Sequence, residues 1–340
     1  MNASSATFTN SVRQLDENSW LEGINFLLSM DLQGLQIRCP KCDQIGTLTP
    51  KWVEGPKVKP LYVFHKNGKE VNACLLDKNE ADQAREQVTV EEEDIKTLLS
   101  SADVYVLFSG GMDSLCALDY LARTASSIGR EMTAIHVDTT AGFPEVTTYV
   151  KAVCEKLQIT LKIVQPQIDY FTLAKKWGIP GINCRWCCRE LKIRPIMDFL
   201  AEKDNPKIVF DGIRAAESSI RAKYLPVWFH PGFDCFSVSP IFYWSDEDIH
   251  LYVKKRKLPT GPSLELGTSG ECWCGAYKKR ADFEQLYRLH PEIYRKLMDV
   301  EEGNKHGFTF VYENGKRISL KDLEREIRRE QLSNSSIGDI

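Results

Sequence analysis

The feature that most restricts the fold is a junction near the middle of the chain. The apolar run Val104-Tyr105-Val106-Leu107-Phe108 passes directly into Ser109-Gly110-Gly111-Met112-Asp113-Ser114, and a helical pattern continues from Ser114 to Thr124. A buried strand that turns through paired glycines into a helix brings bare backbone close to whatever lies there. The free amides of the helix start and the positive end of its dipole favour an anion, above all a phosphate. Asp113 and Ser114 can cap the helix or meet a magnesium ion carried by the phosphates. A plain strand–helix turn with a good cap is the alternative, and six consecutive fitting residues favour phosphate over it.

The surroundings suit that junction. Further short β-branched or apolar runs, Met132–Val137, Leu161–Val164, Ile208–Phe210 and Phe236–Val238, alternate with helical stretches at Pro144–Leu157 and Leu191–Glu202. Alternation of this kind predicts an α/β fold, a doubly wound parallel sheet of five strands with helices on both faces. The expected organisation is an N-terminal helix over 1–35, a strand-rich module over 36–80 and an acidic linker leading into a helix over 81–100. A nucleotide-binding domain over 101–260 and a cysteine-bearing, helical C-terminal region over 261–340 complete it. A hairpin with its turn at Asn67-Gly68, a second at Asn314-Gly315, and a single helix from Arg280 to about Val300 are also expected.

The Ser109–Ser114 segment resembles the Ser-Gly-Gly-x-Asp-Ser loop of the PP-loop ATP pyrophosphatases, in the branch that includes the phosphoadenylyl-sulfate reductases. Three further stretches match that branch in order. They are His136-Val137-Asp138-Thr139-Thr140 with Phe143-Pro144-Glu145; Asp211-Gly212-Ile213-Arg214 with Glu217, Ser218 and Arg221; and Pro240-Ile241-Phe242 with Trp244, Asp246–Ile249 and Tyr252. Met112 stands where many relatives carry lysine. The resemblance implies strand order 3-2-1-4-5, ATP bound with magnesium, and cleavage at the α–β phosphate link. In that order the first and fourth strands flank the crevice where ligands of open parallel sheets sit. Ser109, Gly110, Gly111, Met112, Asp113, Ser114, Asp138, Gly212 and Arg214 are then the nucleotide-binding candidates, and Asp113, Arg214 and Arg221 the catalytic ones. The arginines would offset charge developing on the phosphates. Ion pairing at helical spacing with Glu217 is the competing role.

Eleven cysteines, an odd number in a chain that shows no secretory leader, argue for metal or redox chemistry over a disulfide framework. Cys116, Cys154 and Cys235 lie singly on apolar segments and read as buried small hydrophobes. Cys187-Cys188, with Cys272 and Cys274, resemble the residues that hold a [4Fe–4S] cluster in assimilatory adenylyl-sulfate reductases and DNA phosphorothioation sulfurtransferases. Cys184 is a fifth candidate, and the Cys-x-Cys spacing of the second pair departs from the reductase pattern, so the ligating four stay open; thiolates also admit zinc. Lys192 either approaches this cluster or the nucleotide, or is a solvated helix residue. Cys39-Pro40-Lys41-Cys42 with Gly46 reads like a zinc knuckle, completed by His65 and Cys74. A straight hairpin about Asn67-Gly68 objects: His65 would face Glu70 and Cys74 would face Leu61, roughly 13 Å apart along the strands at about 3.3 Å per residue.

A formal net charge of -3 gives no global attraction to nucleic acid or membrane, and no apolar run is long enough to span a bilayer, so a cytoplasmic protein is expected. Three functions compete. The first is an ATP-dependent adenylating enzyme that moves sulfur through an iron–sulfur cluster, its sulfur donor and acceptor unspecified and a nucleic acid among the possible acceptors. The second is a sulfonucleotide reductase that forms sulfite; such reductases use a cysteine in a C-terminal tail, and no cysteine follows Cys274. The third is a nucleic-acid adaptor on an inert fold, touching phosphates through Lys254-Lys255-Arg256-Lys257 and Lys278-Lys279-Arg280. Relatives of the first two kinds often form homodimers.

Overall fold

The computed structural model describes residues 17–50, 60–67, 70–262, 272–276, 278–304 and 309–335. Two compact units are each assembled from separated stretches. One takes Met1–Tyr105, Arg123–Glu131 and Leu200–Tyr243; the other takes Val106–Ala122, Met132–Phe199 and Trp244–Ile340.

In the first unit, helix α1 (Glu17–Leu28) lays Trp20 edge-on against Phe64, ring centroids 4.9 Å apart. Phe64 belongs to an antiparallel four-stranded sheet of β1 (Gln36–Arg38), β2 (Ile45–Pro50), β3 (Leu61–Asn67) and β4 (Glu70–Leu75), in that order. The acidic stretch after it is more ordered than a linker. It forms two helices, α2 (Lys78–Gln87), closed by a reciprocal Asp77–Glu80 capping box, and α3 (Glu92–Ser101). Buried Asp94 of α3 accepts the amides of Gln33 and Gly34 at 2.6 and 2.8 Å, which ties the turn after α1 to α3.

The larger sheet is built from β5 (Asp103–Leu107), β6 (Thr133–Val137), β7 (Thr160–Val164), β8 (Lys207–Phe210), β9 (Val227–His230) and β10 (Cys235–Val238), in the order β7-β6-β5-β8-β10-β9. The five expected strands therefore run 3-2-1-4-5, with β6–β7 and β8–β10 parallel. The sixth, β9, adds an antiparallel edge through pairs such as Phe236 with Phe229. Four residues between Pro226 and Pro231 carry too little alternation to announce a strand.

Helix α4 (Met112–Ser127) leaves the loop after β5, and α5 (Pro144–Lys156) follows β6. After β7 come α6 (Tyr170–Trp177), a π-helical turn at Cys188–Ile193 and α7 (Arg194–Ala201). Beyond β10, α8 (Asp246–Arg256) is clamped to α4. Buried Asp119 accepts the Tyr252 hydroxyl at 2.8 Å and both Arg256 nitrogens at 2.9 and 3.2 Å. The helix expected from Arg280 to Val300 is two, α9 (Arg280–Leu289) and α10 (Pro291–Glu302), because Pro291 has no amide to continue the first. A hairpin, β11 (Val311–Glu313) and β12 (Lys316–Ile318), turns through Asn314 and Gly315, both at positive φ (49° and 76°), as its Asn-Gly signal requires. Helix α11 (Leu320–Ser335) follows. No helix among the described residues is long and apolar enough to cross a membrane.

Candidate functional site

The loop after β5 closes on itself. Ser114 Oγ donates to the Gly111 carbonyl at 2.9 Å and lies 3.1 Å from Ser109 Oγ, which accepts the Gly111 amide at 3.4 Å. Helix α4 begins at Met112, so Asp113 and Ser114 sit in its first turn with Gly110 and Gly111 at its positive end. Gly110 has φ +96°, and a Cβ there would come within 2.9 Å of Val146 Cγ1 on α5. A second glycine guards the loop from outside: a Cβ on Gly261 would stand 2.5 Å from the Gly110 carbonyl, while Tyr149 holds the same segment by donating to the Pro259 carbonyl at 2.9 Å. On β6, buried His136 bonds through Nδ1 to the Phe108 carbonyl at 2.9 Å and so fixes the strand end from which the loop departs.

Asp138 ends β6. One carboxylate oxygen accepts the Thr140 amide at 3.1 Å and the other accepts Gln165 Nε2 at 2.8 Å. Thr140, at φ 55°, uses its hydroxyl oxygen to accept the Tyr170 amide at 2.9 Å, and the Tyr170 hydroxyl donates to the Cys274 carbonyl at 2.8 Å. Hydrogen bonds thus lead from the end of β6 to the cysteines. The Cys-x-Cys segment is fastened to the same stretch, since Cys272 bridges Gly142, the Trp273 amide donates to the Ala141 carbonyl at 2.9 Å, and Trp273 Nε1 donates to Gly142.

Four of the five candidate cysteines come together. Cys187 Sγ lies 3.5 Å from Cys274 Sγ, which lies 3.6 Å from Cys272 Sγ, and Cys188 shares a hydrogen bond with Cys187. That bond holds Cys188 below the ordinary thiol value, with Lys192 adding a smaller pull the same way, and it is the main reason Cys187 is pushed up to about 12. Lys192 therefore stands in the field of the cysteines. Cys184 is exposed, its backbone bridged to Gly181. The π-helical turn starts at Cys188, directly after Cys187, and such turns redirect side chains at functional positions. Trp186 and Trp273 adjoin the set in sequence and pack on further aromatic residues: Tyr170 stacks on Trp186 at 5.6 Å and meets Trp273 edge-on at 5.1 Å, and Phe171 stacks on Trp273. Cys187 and Cys274 are buried, Cys188 and Cys272 half-buried. Four converging thiols fit an iron–sulfur cluster, whose ligands are thiolates.

Gly212, Arg214 and Arg221 belong to the first unit. Asp211, just before them, is fully buried and accepts Ser239 Oγ at 2.6 Å, Ser237 Oγ at 2.8 Å and the Ile213 amide at 3.0 Å; burial raises its carboxyl above the usual range. Arg214 is buried, and its amide donates to the Glu217 carboxylate at 2.9 Å. Arg221, half-exposed, forms an ion pair with that same carboxylate.

The N-terminal candidates also converge: one ligand atom from each of Cys39, Cys42, His65 and Cys74 lies within 4.8 Å of all the others. The expected separation fails because the hairpin register differs. His65 pairs with Asn72 and Val63 with Cys74, so the β3–β4 connection lies at residues 68 and 69, outside the described residues, instead of at Asn67-Gly68. Cys116, Cys154 and Cys235 are buried, as expected of small hydrophobes.

The phosphoadenosine phosphosulfate reductase domain profile matches residues 103–313 of the chain, which is more than half of it. The chain belongs to that family. Among curated relatives of this reductase-domain protein, an uncharacterized protein of Methanocaldococcus jannaschii is 28% identical over 209 residues, 60% of this chain and 42% of its own. A phosphoadenosine 5'-phosphosulfate reductase of Xylella fastidiosa is 33% identical over 165 residues, 47% of this chain and 66% of its own. The chain thus spans less than two thirds of the length of these relatives. Among solved structures, the phosphoadenylyl-sulfate reductase of Candida auris in its phosphate complex superposes with TM-score 0.44 at 20% identity, covering 58% of this chain and 96% of that one.

Several residues that shape the Ser109–Ser114 loop and the surroundings of the cysteines carry little signal of their own. Gly261 and Tyr149 wall the loop, while Thr140 and Tyr170 join Asp138 to the cysteines, and all four act through close contacts between residues distant in sequence. Only Thr140 lies within a motif legible beforehand, and there as a position without a role.

Proposed function

We propose that this protein binds ATP on the Ser109–Ser114 loop, cleaves its α–β phosphate link to adenylate an acceptor, and transfers sulfur to the activated acceptor at an iron–sulfur cluster on Cys187, Cys188, Cys272 and Cys274. The supporting observation is the hydrogen-bonded path from Asp138 through Thr140 and Tyr170 to Cys274, which joins the end of β6 to the thiols within one unit.

In this reading the Gly110 and Gly111 backbone and the head of α4 receive the polyphosphate, with Asp113 or Ser114 meeting magnesium. Asp138 takes magnesium or ribose. An acceptor oxygen attacks the α-phosphorus, the bond to the bridging oxygen breaks, and pyrophosphate leaves with the electron pair. Arg214 and Arg221 offset the charge that develops, Arg221 on release from Glu217. A sulfide-class nucleophile then displaces AMP from the acceptor, so a carbon–sulfur bond replaces carbon–oxygen with no net oxidation. A cluster held by these residues would supply thiophilic iron for that sulfur, which would take the place of one of the four thiolates. A nucleic-acid base is the acceptor class to test first.

The retained Asp113-Ser114 ending supports ATP as the nucleotide. A second reading, reduction of a sulfonucleotide to sulfite, draws on the 33% identity to the Xylella fastidiosa reductase. Anaerobic protein incubated with ATP, magnesium and labelled pyrophosphate separates the two. Label entering ATP when RNA or DNA is offered supports adenylation; sulfite released from a sulfonucleotide with thioredoxin, and no exchange, replaces it with the second reading.

A further inference from the structure

We infer that Cys39, Cys42, His65 and Cys74 form a structural zinc site that sets the register of the β3–β4 hairpin, separate from the thiols of the second unit. Three observations beyond proximity point to a metal. The Lys41 amide donates to Cys39 Sγ at 3.4 Å, the knuckle geometry in which backbone supports a thiolate two residues earlier. The Cys39 amide donates to the Gln44 carbonyl and the Asp43 amide to the Cys39 carbonyl, both at 2.9 Å, with Asp43 at φ 63°, so the turn carrying Cys39 and Cys42 is fixed before any metal arrives. His65 is buried and oriented: Nδ1 lies 3.1 Å from the Ile45 carbonyl while Nε2 faces Cys42 Sγ at 3.3 Å. With one ring nitrogen donating to backbone, the other presents its lone pair, which is the usual second partner of a metal-bound imidazole. Gly46 permits this approach, since a Cβ there would stand 2.7 Å from His65 Nδ1. Three thiolates and one imidazole make a closed tetrahedral set, the structural class of zinc site.

The register consequence comes from the pleat. Side chains alternate faces with period two, so a slip of two residues keeps every side chain on its face and the apolar pattern does not resist it. Asn67-Gly68 taken as the turn would pair His65 with Glu70; the observed pairing puts Asn72 opposite His65 and Cys74 opposite Val63. Only the second arrangement makes His65 and Cys74 diagonal neighbours on one face. A metal that needs both therefore selects it against a favourable turn sequence.

The test uses the full-length protein, expressed with iron and zinc both supplied. One zinc per chain is expected. Cys42→Ser and Cys74→Ser should each lose most of it and keep wild-type iron, whereas Cys272→Ser should lose iron and keep zinc. If the zinc-ligand variants fail to fold, the wild-type chain still decides the matter by mass-spectrometric alkylation. Cys39, Cys42 and Cys74 should resist alkylation until a zinc chelator is added, and amide exchange in 61–67 and 70–75 should rise on chelation. Wild-type protein without zinc, or with those thiols alkylated equally fast before and after chelation, overturns the site. Iron instead of zinc lost on Cys42→Ser overturns the metal, and unchanged hairpin exchange after zinc removal overturns the register role.

Discussion

At the scale of single residues, Gly110 couples backbone geometry most directly to chemistry. At φ +96° an L side chain is strained, on the order of 1–3 kcal/mol, and the added methyl would also press on Val146 at 2.9 Å. Gly110→Ala should therefore cost roughly that much stability and lose nucleotide binding beyond what the stability loss explains, read by denaturant midpoint and by ATP titration of the folded variant. Asp211 offers a different test. Its raised carboxyl value means the folded chain binds a proton there more readily than the unfolded chain. Its contribution thus favours folding more as pH falls from neutral through the raised value, and levels off below about 3.9, where the unfolded aspartate also protonates. Urea midpoints across that window should show the slope in wild-type protein and its removal in Asp211→Asn. The glycine pair was legible in the sequence because it stands between a strand and a helix. The burial of Asp211 was not, since it depends on the hydroxyls of Ser237 and Ser239, which sit at and just past the end of the neighbouring strand and carry no signal of their own.

At the scale of elements, the clamp between α4 and α8 keeps the helix that begins at the loop from shifting. Asp119 is buried and receives three bonds from Tyr252 and Arg256. Asp119→Ala should destabilise by about 2 kcal/mol, the range for hydrogen bonds to a charged group, and Tyr252→Phe by about 1 kcal/mol, both read from denaturant midpoints. The α/β alternation was readable because buried parallel strands are apolar runs separated by helices, whereas the strand order came only from the family resemblance. What escaped was short or set by tertiary contact. Helix α6 has only eight residues, and β9 sits between two prolines. The β3–β4 register follows a ligand set that outweighs an Asn-Gly turn signal, whereas the β11–β12 hairpin, with no such constraint, turns where its sequence says.

For the whole molecule, the two units give the ligands separate addresses. The Ser109–Ser114 loop and the converging thiols lie in the second unit, and the cysteine–histidine set lies in the first. A ligand stabilises what it binds by mass action, about 2.7 kcal/mol at a hundred times its dissociation constant. ATP with magnesium should therefore slow amide exchange in 106–122 and 132–164 and leave 36–50 and 61–75 near their ligand-free rates. Zinc chelation should act in the reverse places. Gly110→Ala should remove the first response and preserve the second, a result that general destabilisation does not produce. If ATP protects no segment of the second unit in folded, iron-loaded protein, the loop holds no polyphosphate and the adenylation chemistry goes with it. Protection by a sulfonucleotide alone would leave the fold reading intact and move the function to sulfite formation, because the same amides would then cradle a different anion.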